Sequence, residues 1–480
     1  MLSEDKFIEE VLEFHSFSKK GEGRAYLTKK QGLNIQVDVP HTLVGDTAKV
    51  RIRKKKRKKN KGRLLEIISP SPWRRKPVCP HSRICGGCTW HEMKYEKQLE
   101  EKEKILLDAF DKLLDKQTVE IFPIIPFSQQ WRYRNKMEFS FSENKGGEKY
   151  LGLTIANAKS FIFNVETCFL ANKWFSSALQ AVRNWWKKTD LHAYFPPKDK
   201  GHLRSITMRE GIRTQEKLIM LKVSGNKEYV LTEEDKKGFV QAIKDTGIKN
   251  ISIFLCIQKI QKGQSTTYEI LPLTEKKYIT EKLKLSFLQK SFPKEKELIF
   301  KISPTSFFQT NTIQAEKLYN LAIKLAEVKK NSIVFDLFSG TGSIAMAFSL
   351  FVKKVIAIEI NPSAVLDAKK NIEENKLSNI FLYEGDVGEV LKNLSSKKEL
   401  FTPPDIVVVD PPRSGLNLKA IEQIKNLKPK KIIYISCNPY TQSENIKELQ
   451  NLYILKKIQP IDQFPHTHHI ENIAILEREA

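Results

Sequence analysis

A three-part, multi-domain architecture is predicted: a small N-terminal β-barrel, a central α/β region, and a C-terminal parallel sheet with helices on both faces. Three observations predict it. The chain has 480 residues, more than one ordinary core holds, and its 40% hydrophobic content is enough to fold most of it. The first 68 residues read as short strands separated by turns. From residue 330 onward, apolar strand-like runs alternate regularly with amphipathic helical stretches. The expected divisions are 1–68, 69–295 and 296–480.

In the first segment Gly21-Glu22-Gly23 and Val44-Gly45-Asp46 are turns, and Asn34 to Val39, Ala48 to Ile52 and Leu64 to Ile68 are strands. A basic run from Arg53 to Arg63 lies between the last two strands, at a loop tip. A barrel of the oligonucleotide-binding kind presents such a loop beside its binding face. A lone charge run is more often a solvated loop. The formal net charge of +25, from 81 Lys and Arg against 56 Asp and Glu, tips the balance toward a polyanionic partner, RNA.

Ser69-Pro70-Ser71-Pro72 is a linker, and a cysteine cluster follows it. Cys79, Cys85 and Cys88 are close in sequence, with Gly86-Gly87 as a tight turn, and Cys168 is a distant fourth. Four thiols can hold a [4Fe-4S] cluster or a zinc ion, and spacing does not choose between them. Tyr95 to Leu114 has helical spacing of Leu99, Ile105, Leu106, Phe110 and Leu113. Trp131 to Lys136 interleaves aromatic and basic residues, a pattern shared by single-stranded RNA platforms and edge strands.

The C-terminal strands are expected at Ile333 to Leu337, Val355 to Ile358, Ile380 to Tyr383, Ile406 to Val409 and Ile432 to Ser436. Ligands of such sheets bind beyond the carboxyl ends of the strands. The first strand runs into Phe338-Ser339-Gly340-Thr341-Gly342-Ser343, where glycines let the backbone approach a ligand. Asp336 at that strand end would repel a pyrophosphate but welcome a cationic sulfonium. No Gly-Lys-Ser or Gly-Lys-Thr follows, which excludes a P-loop. Glu359 ends the second strand, where a carboxylate can accept ribose hydroxyls. Asp386 follows the third, placed to meet an adenine edge, and Asp410 ends the fourth. Any one of these acids can be a helix cap; three in register suggest a methyltransferase crevice.

Asp410-Pro411-Pro412-Arg413 lacks the aromatic residue of the Asp-Pro-Pro-Tyr box of amino-group methyltransferases. A thiol, Cys437, ends the fifth strand instead. Thiolate addition to carbon 6 of a pyrimidine makes carbon 5 nucleophilic, and a base must later remove the carbon 5 proton. Cys437 is the candidate nucleophile and Glu471 the candidate base. His466, His468 and His469 lack ligand partners at metal spacing and read as positioning or substrate-contacting groups.

Ser306 to Asn311, Asp336 to Gly342, Asp410 to Gly415, Ser436 to Pro439 and the Phe464-Pro465-His466-Thr467-x-His469-x-Glu471 segment together resemble the RNA 5-methyluridine methyltransferases. The resemblance covers nearly the whole chain. It implies a Rossmann-like methyltransferase domain and a TRAM-type N-terminal barrel. S-adenosylmethionine would be bound by Gln309, Phe338, Glu359 and Asp410, with Ser343 and Asp386 as further contacts. The resemblance also implies a [4Fe-4S] cluster on Cys79, Cys85, Cys88 and Cys168, and favours ribosomal RNA over transfer RNA. Ser343 stands where Asn is frequent, and Pro412 where Ala is common.

A monomer in the cytoplasm is expected. The charged first ten residues do not look like a signal peptide, no run of ~18 apolar residues is present, and six cysteines do not form a disulfide framework. A non-catalytic RNA-binding ribosome-assembly factor is the competing class, and the presence of both Cys437 and Glu471 argues against it.

Overall fold

The computed structural model describes residues 7–28, 34–53, 59–114, 118–158, 161–260, 263–286, 295–396 and 402–479. The N-terminal strands are β1 (Phe7–Glu13), β2 (Ser16–Phe17), β3 (Gly23–Thr28), β4 (Asn34–Val39), β5 (Thr47–Arg53) and β6 (Lys59–Ser69). They form one sheet of order β1-β5-β6-β4-β3-β2, with β4 and β6 as its parallel pair. Alternation does the folding: Ala48, Val50 and Ile52 of β5 point inward to Val37 and Val39 of β4. Of the basic run, 54–58 lies outside the described residues. Lys59 to Arg63 extend β6 rather than forming loop, because this strand pairs with both β5 and β4.

Helix α1 (Tyr95–Leu114) and strand β7 (Glu120–Ile121) follow. The central strands are β8 (Lys136–Glu143), β9 (Lys149–Thr154), β10 (Ile162–Asn164), β11 (Leu203–Glu210), β12 (Lys217–Ser224), β13 (Ile251–Lys259) and β14 (Thr267–Pro272). Their sheet order is β10-β9-β8-β11-β12-β13-β14. Only β12 and β13 are parallel in it, joined through helix α3 (Glu233–Lys244); helix α2 (Lys173–Lys187) packs beside α3 over the same core. A hairpin of β15 (Ile279–Ser286) and β16 (Glu295–Ile302) leads into α4 (Thr312–Ala326).

The C-terminal layer alternates β17 (Ile333–Leu337), α5 (Ser343–Ser349), β18 (Lys354–Glu359), α6 (Pro362–Glu374), β19 (Ile380–Glu384), α7 (Val387–Ser396), β20 (Ile406–Val409), α8 (Leu418–Leu427), β21 (Lys431–Ser436), α9 (Pro439–Leu449), β22 (Tyr453–Ile461) and β23 (Glu471–Arg478). The sheet order is β19-β18-β17-β20-β21-β23-β22-β7. The parallel strands β17, β18, β20 and β21 are buried on both faces, which is why they read as continuous apolar runs, whereas β19 at the edge is partly exposed. The order reverses at β17 and β20, and this opens a crevice beyond their carboxyl ends.

Helix α1 and β7 precede the central sheet in sequence, yet they complete this C-terminal layer. Leu106, Phe110 and Leu113 of α1 join the core under α9, and β7 pairs with the edge strand β22. Among the described residues no helix is long and apolar enough to cross a membrane.

Candidate active site

The strand ends gather acids in a crevice. Asp336 is fully buried, with no side-chain hydrogen-bond partner and only the Ala345 backbone N–H directed at it. Burial, then the nearby Asp410 and Glu359, push its pKa well above the usual carboxylate range. Beyond it Phe338 sits at φ 69°, a left-handed conformation that side chains adopt only under constraint. Gly340 also has positive φ; a Cβ there would meet nothing within 4 Å, so the loop faces open space. Its N–H donates to Glu359 Oε2 at 2.8 Å, which ties the ends of β17 and β18 together.

The other sequence-derived contacts take up distinct positions. Ser343 Oγ lies 3.0 Å from the Tyr319 hydroxyl. Asp386 Oδ1 accepts the backbone N–H groups of Gly388 and Glu389 at 2.9 and 3.2 Å, so one of its oxygens caps α7. Gln309 is buried; its carbonyl accepts Asn135 Nδ2 at 2.9 Å and its side-chain oxygen faces Gln463 Nε2 at 3.5 Å. Burial pushes Asp410 up to about 7.

Cys437 and Glu471 meet because β21 and β23 are antiparallel. Ser436 pairs with Asn472, so the next residue along each strand end faces the same point. Burial, then Glu471, push the Cys437 thiol up to about 11, against the Arg413 guanidinium, which lowers it. Glu471 is itself raised well above its usual range by burial and by Asp410. The carbonyl of Arg413 accepts Asn438 Nδ2 at 3.0 Å, and its Nη2 lies 3.2 Å from both ring nitrogens of His469.

The segment between β22 and β23 is a hub. Asp462 forms a fully buried ion pair with Lys102 at 2.5 Å and accepts the Tyr95 hydroxyl at 2.7 Å. His466 is buried, with φ 69°, and stacks on Trp131 at 3.8 Å between centroids. His468 approaches Gly21 of the N-terminal sheet, and Trp90 Nε1 donates to the Gly21 carbonyl at 2.9 Å. Burial lowers the ring pKa of His468 to about 4, and those of His466 and His469 to about 2, so all three are neutral at pH 7. The aromatic and basic stretch before β8 is interior: Tyr133 and Asn135 are buried, and one face of Trp131 is covered by His466.

Cys79, Cys85, Cys88 and Cys168 line one cavity, with His81, His91 and Trp131 beside them. The loop is built by backbone bonds: Cys85 N–H donates to the His81 carbonyl at 2.9 Å and Gly86 N–H to that of Thr154 at 3.1 Å. Burial raises all four thiols, Cys85 to about 11. Among the described residues no three His, Cys, Asp or Glu side chains are arranged to hold a single metal ion.

Sequence reading missed Tyr319, Asn135, Gln463 and Lys102. No element was expected around Tyr319, and nothing marked it as facing Asp410, Asp336 and Glu471 across the crevice. Asn135 and Gln463 reach Gln309 only through the packing of separate segments.

Comparison with known proteins gives a consistent result. The sequence model of the family described as tRNA (Uracil-5-)-methyltransferase matches residues 254–479. An uncharacterized RNA methyltransferase of Protochlamydia amoebophila is 44% identical over 446 residues, spanning 92% of this chain and 99% of the relative. Another, of Chlamydia trachomatis, is 35% identical over 403 residues, with 83% and 98% covered. The crystal structure of Pyrococcus abyssi tRNA (uracil-54, C5)-methyltransferase in complex with S-adenosyl-L-homocysteine superposes with a TM-score of 0.71 at 25% identity, covering 97% of this chain and 99% of that one.

Proposed function

The chain belongs to the RNA 5-methyluridine methyltransferase family, and from that premise we propose that it methylates carbon 5 of a uridine in RNA with Cys437 as nucleophile and Glu471 as base. The observation that carries this reading is the antiparallel register that sets Cys437 beside Glu471 at the mouth of an acid-lined crevice. We take the modules as 1–68, 69–295 and 296–480, with α1 and β7 contributed to the last.

The crevice suits S-adenosylmethionine, the ligand whose demethylated product is bound in the Pyrococcus neighbour. The buried Asp336, which has no side-chain partner, together with Asp410 favours a bound cation, and Gly340 leaves room for close approach. Gln309, Phe338, Ser343, Glu359, Asp386 and Asp410 would hold it. Asp386 would do so with the oxygen that does not cap α7. When bound, S-adenosylmethionine supplies an electrophilic methyl group.

The chemistry of the chain's own residues follows. The Cys437 thiolate adds to carbon 6, and the ring electrons move to an enolate with carbon 5 nucleophilic. After carbon 5 is methylated, the Glu471 carboxylate takes its proton. The electron pair re-forms the carbon 5–carbon 6 double bond and expels the thiolate. Arg413 favours the thiolate at the start and the end of the cycle.

The four cysteines suit a metal group through their all-thiol donor set and largely apolar surroundings. Four thiols on one cavity suit either a [4Fe-4S] cluster or a zinc ion, and the family resemblance favours the cluster. Such a cluster would act structurally, since methyl transfer needs no electron. The N-terminal sheet, with its β4–β6 parallel pair, supports a TRAM-type barrel that contacts RNA. We favour ribosomal RNA, methylated by a monomer in the cytoplasm, a compartment that six free cysteines suit. Transfer RNA is the second reading, favoured by the Pyrococcus neighbour. Incubation with labelled S-adenosylmethionine and RNA lacking the modification is expected to yield 5-methyluridine. Absence of label in both ribosomal and transfer RNA contradicts the proposal, and the labelled species decides between them.

A further inference from the structure

The strained His466 and the wall of the cysteine cavity are in direct contact. The Trp131 ring, which lines the cavity, stacks on the His466 ring at 3.8 Å and 23°. His91, also in the wall, lies 5.2 Å from Trp131 and 5.9 Å from His466, and its Nε2 accepts the N–H groups of Val78 and Cys79 at 3.1 Å each. His466 is further fixed on three sides. Its N–H donates to Gln98 Oε1 at 2.8 Å, its carbonyl accepts the Trp90 N–H at 3.1 Å, and its Nδ1 faces Arg75 Nη2 and Gln98 Nε2 at 3.2 Å each. The Arg75 donor toward Nδ1 assigns the proton to Nε2, which is buried and directed at the backbone of Gln130.

A left-handed backbone at a non-glycine residue costs free energy. It persists where the surroundings over-determine the conformation, and here those surroundings come from the cysteine segment and α1. Three residues beyond His466, His469 meets Arg413; two further on, Glu471 begins β23. The segment that the cavity wall clamps therefore delivers both the base and the neighbour of the guanidinium beside the thiol.

We infer that Trp131 and His466 are positioning residues through which the cysteine lobe sets the placement of Glu471. This rests on the uridine-methylation reading and deepens it. The consequence is specific to one step. Displacement of the base leaves addition and methylation intact, but slows removal of the carbon 5 proton. The sulfur–carbon 6 bond then persists after the methyl group has been transferred.

The test uses the full-length protein, ordinary uridine RNA and labelled S-adenosylmethionine, with denaturing gels to separate covalent protein–RNA species. Trp131→Leu is expected to raise the labelled covalent species ~10-fold over wild type and to lower kcat ~10-fold, with KM for S-adenosylmethionine within ~2-fold. Trp131→Phe, which keeps a ring for stacking, is expected to restore wild-type behaviour. Should Trp131→Leu be insoluble, His466→Asn removes the ring at a residue type that tolerates positive φ, and the same accumulation is expected. Wild-type turnover in the ring-deleted variant, or equal loss of adduct and turnover, overturns the inference, as does Trp131→Phe behaving like Trp131→Leu. Glu471→Gln is the control: if it accumulates labelled adduct while the ring-deleted variant does not, only the inference falls. If wild type transfers no methyl group to uridine, the functional reading falls and this inference with it.

Discussion

The strand-end crevice and the cysteine lobe hold their polar groups in opposite ways. In the crevice, Asp336, Asp410 and Glu471 come from the ends of β17 and β20 and the start of β23, so the sheet fixes their spacing. Burial raises all three, and mutual repulsion adds to this for Asp336 and Glu471. In the lobe, four thiols sit on irregular segments, are kept neutral by burial, and depend on backbone turns and ring contacts for their placement. The positions of the crevice acids are therefore set by the sheet before any ligand binds, and a bound cation favours their charged forms. A thiol cavity needs deprotonation by a bound metal to reach its working charge, so its geometry and its occupancy are linked.

The comparison breaks most sharply at Asp410. Asp410→Asn is expected to weaken S-adenosylmethionine binding roughly 30- to 100-fold, measured by titration calorimetry. The pH dependence has a definite sign. Asp410, raised to about 7, is protonated below that pH and negative above it, and a cation prefers the negative form. Affinity is expected to rise by up to about tenfold per pH unit as pH climbs toward 7, and the Asn variant is expected to lose the step that Asp410 contributes there. A pH-independent wild type contradicts the electrostatic account of the crevice.

Cys85→Ser sharpens the contrast from the other side. Anaerobically purified protein is expected to be brown, and this variant to lose both the visible absorbance and its iron while retaining S-adenosylmethionine affinity within about 2-fold. Colourless wild-type protein that carries zinc contradicts the cluster. The smallest effect is expected at Ser343→Asn: this residue meets Tyr319 at the crevice edge, and the change in donor affinity should stay within about 0.5 kcal/mol.

The same difference explains what the sequence made legible. The five parallel strands could be read nearly to the residue, four of them because a strand buried on both faces is a continuous apolar run, and β19 because its edge position still keeps an apolar run. Once those strands are placed, Asp336, Glu359, Asp410 and Cys437 stand at or just beyond their ends. The lobe's supports were not legible. Trp131 reaches His466 across more than three hundred residues of sequence, and the interleaved pattern around Trp131 gives no sign that Tyr133 and Asn135 turn inward. The entry of α1 and β7 into the C-terminal layer is likewise a pairing between distant segments that local periodicity does not encode. Asp386 shows the limit of reading one residue at a time: it follows a strand end, as a ligand would, and it also caps a helix.

The central claim is that Cys437 attacks the uridine. RNA carrying 5-fluorouridine at the target, incubated with S-adenosylmethionine and the protein, replaces the carbon 5 proton with fluorine, which Glu471 does not remove. A stable covalent complex is predicted, with mass spectrometry placing the nucleotide on the peptide that contains Cys437 and with no complex formed by Cys437→Ala. A complex that survives in Cys437→Ala, or an adduct mapped to another residue, would contradict the account.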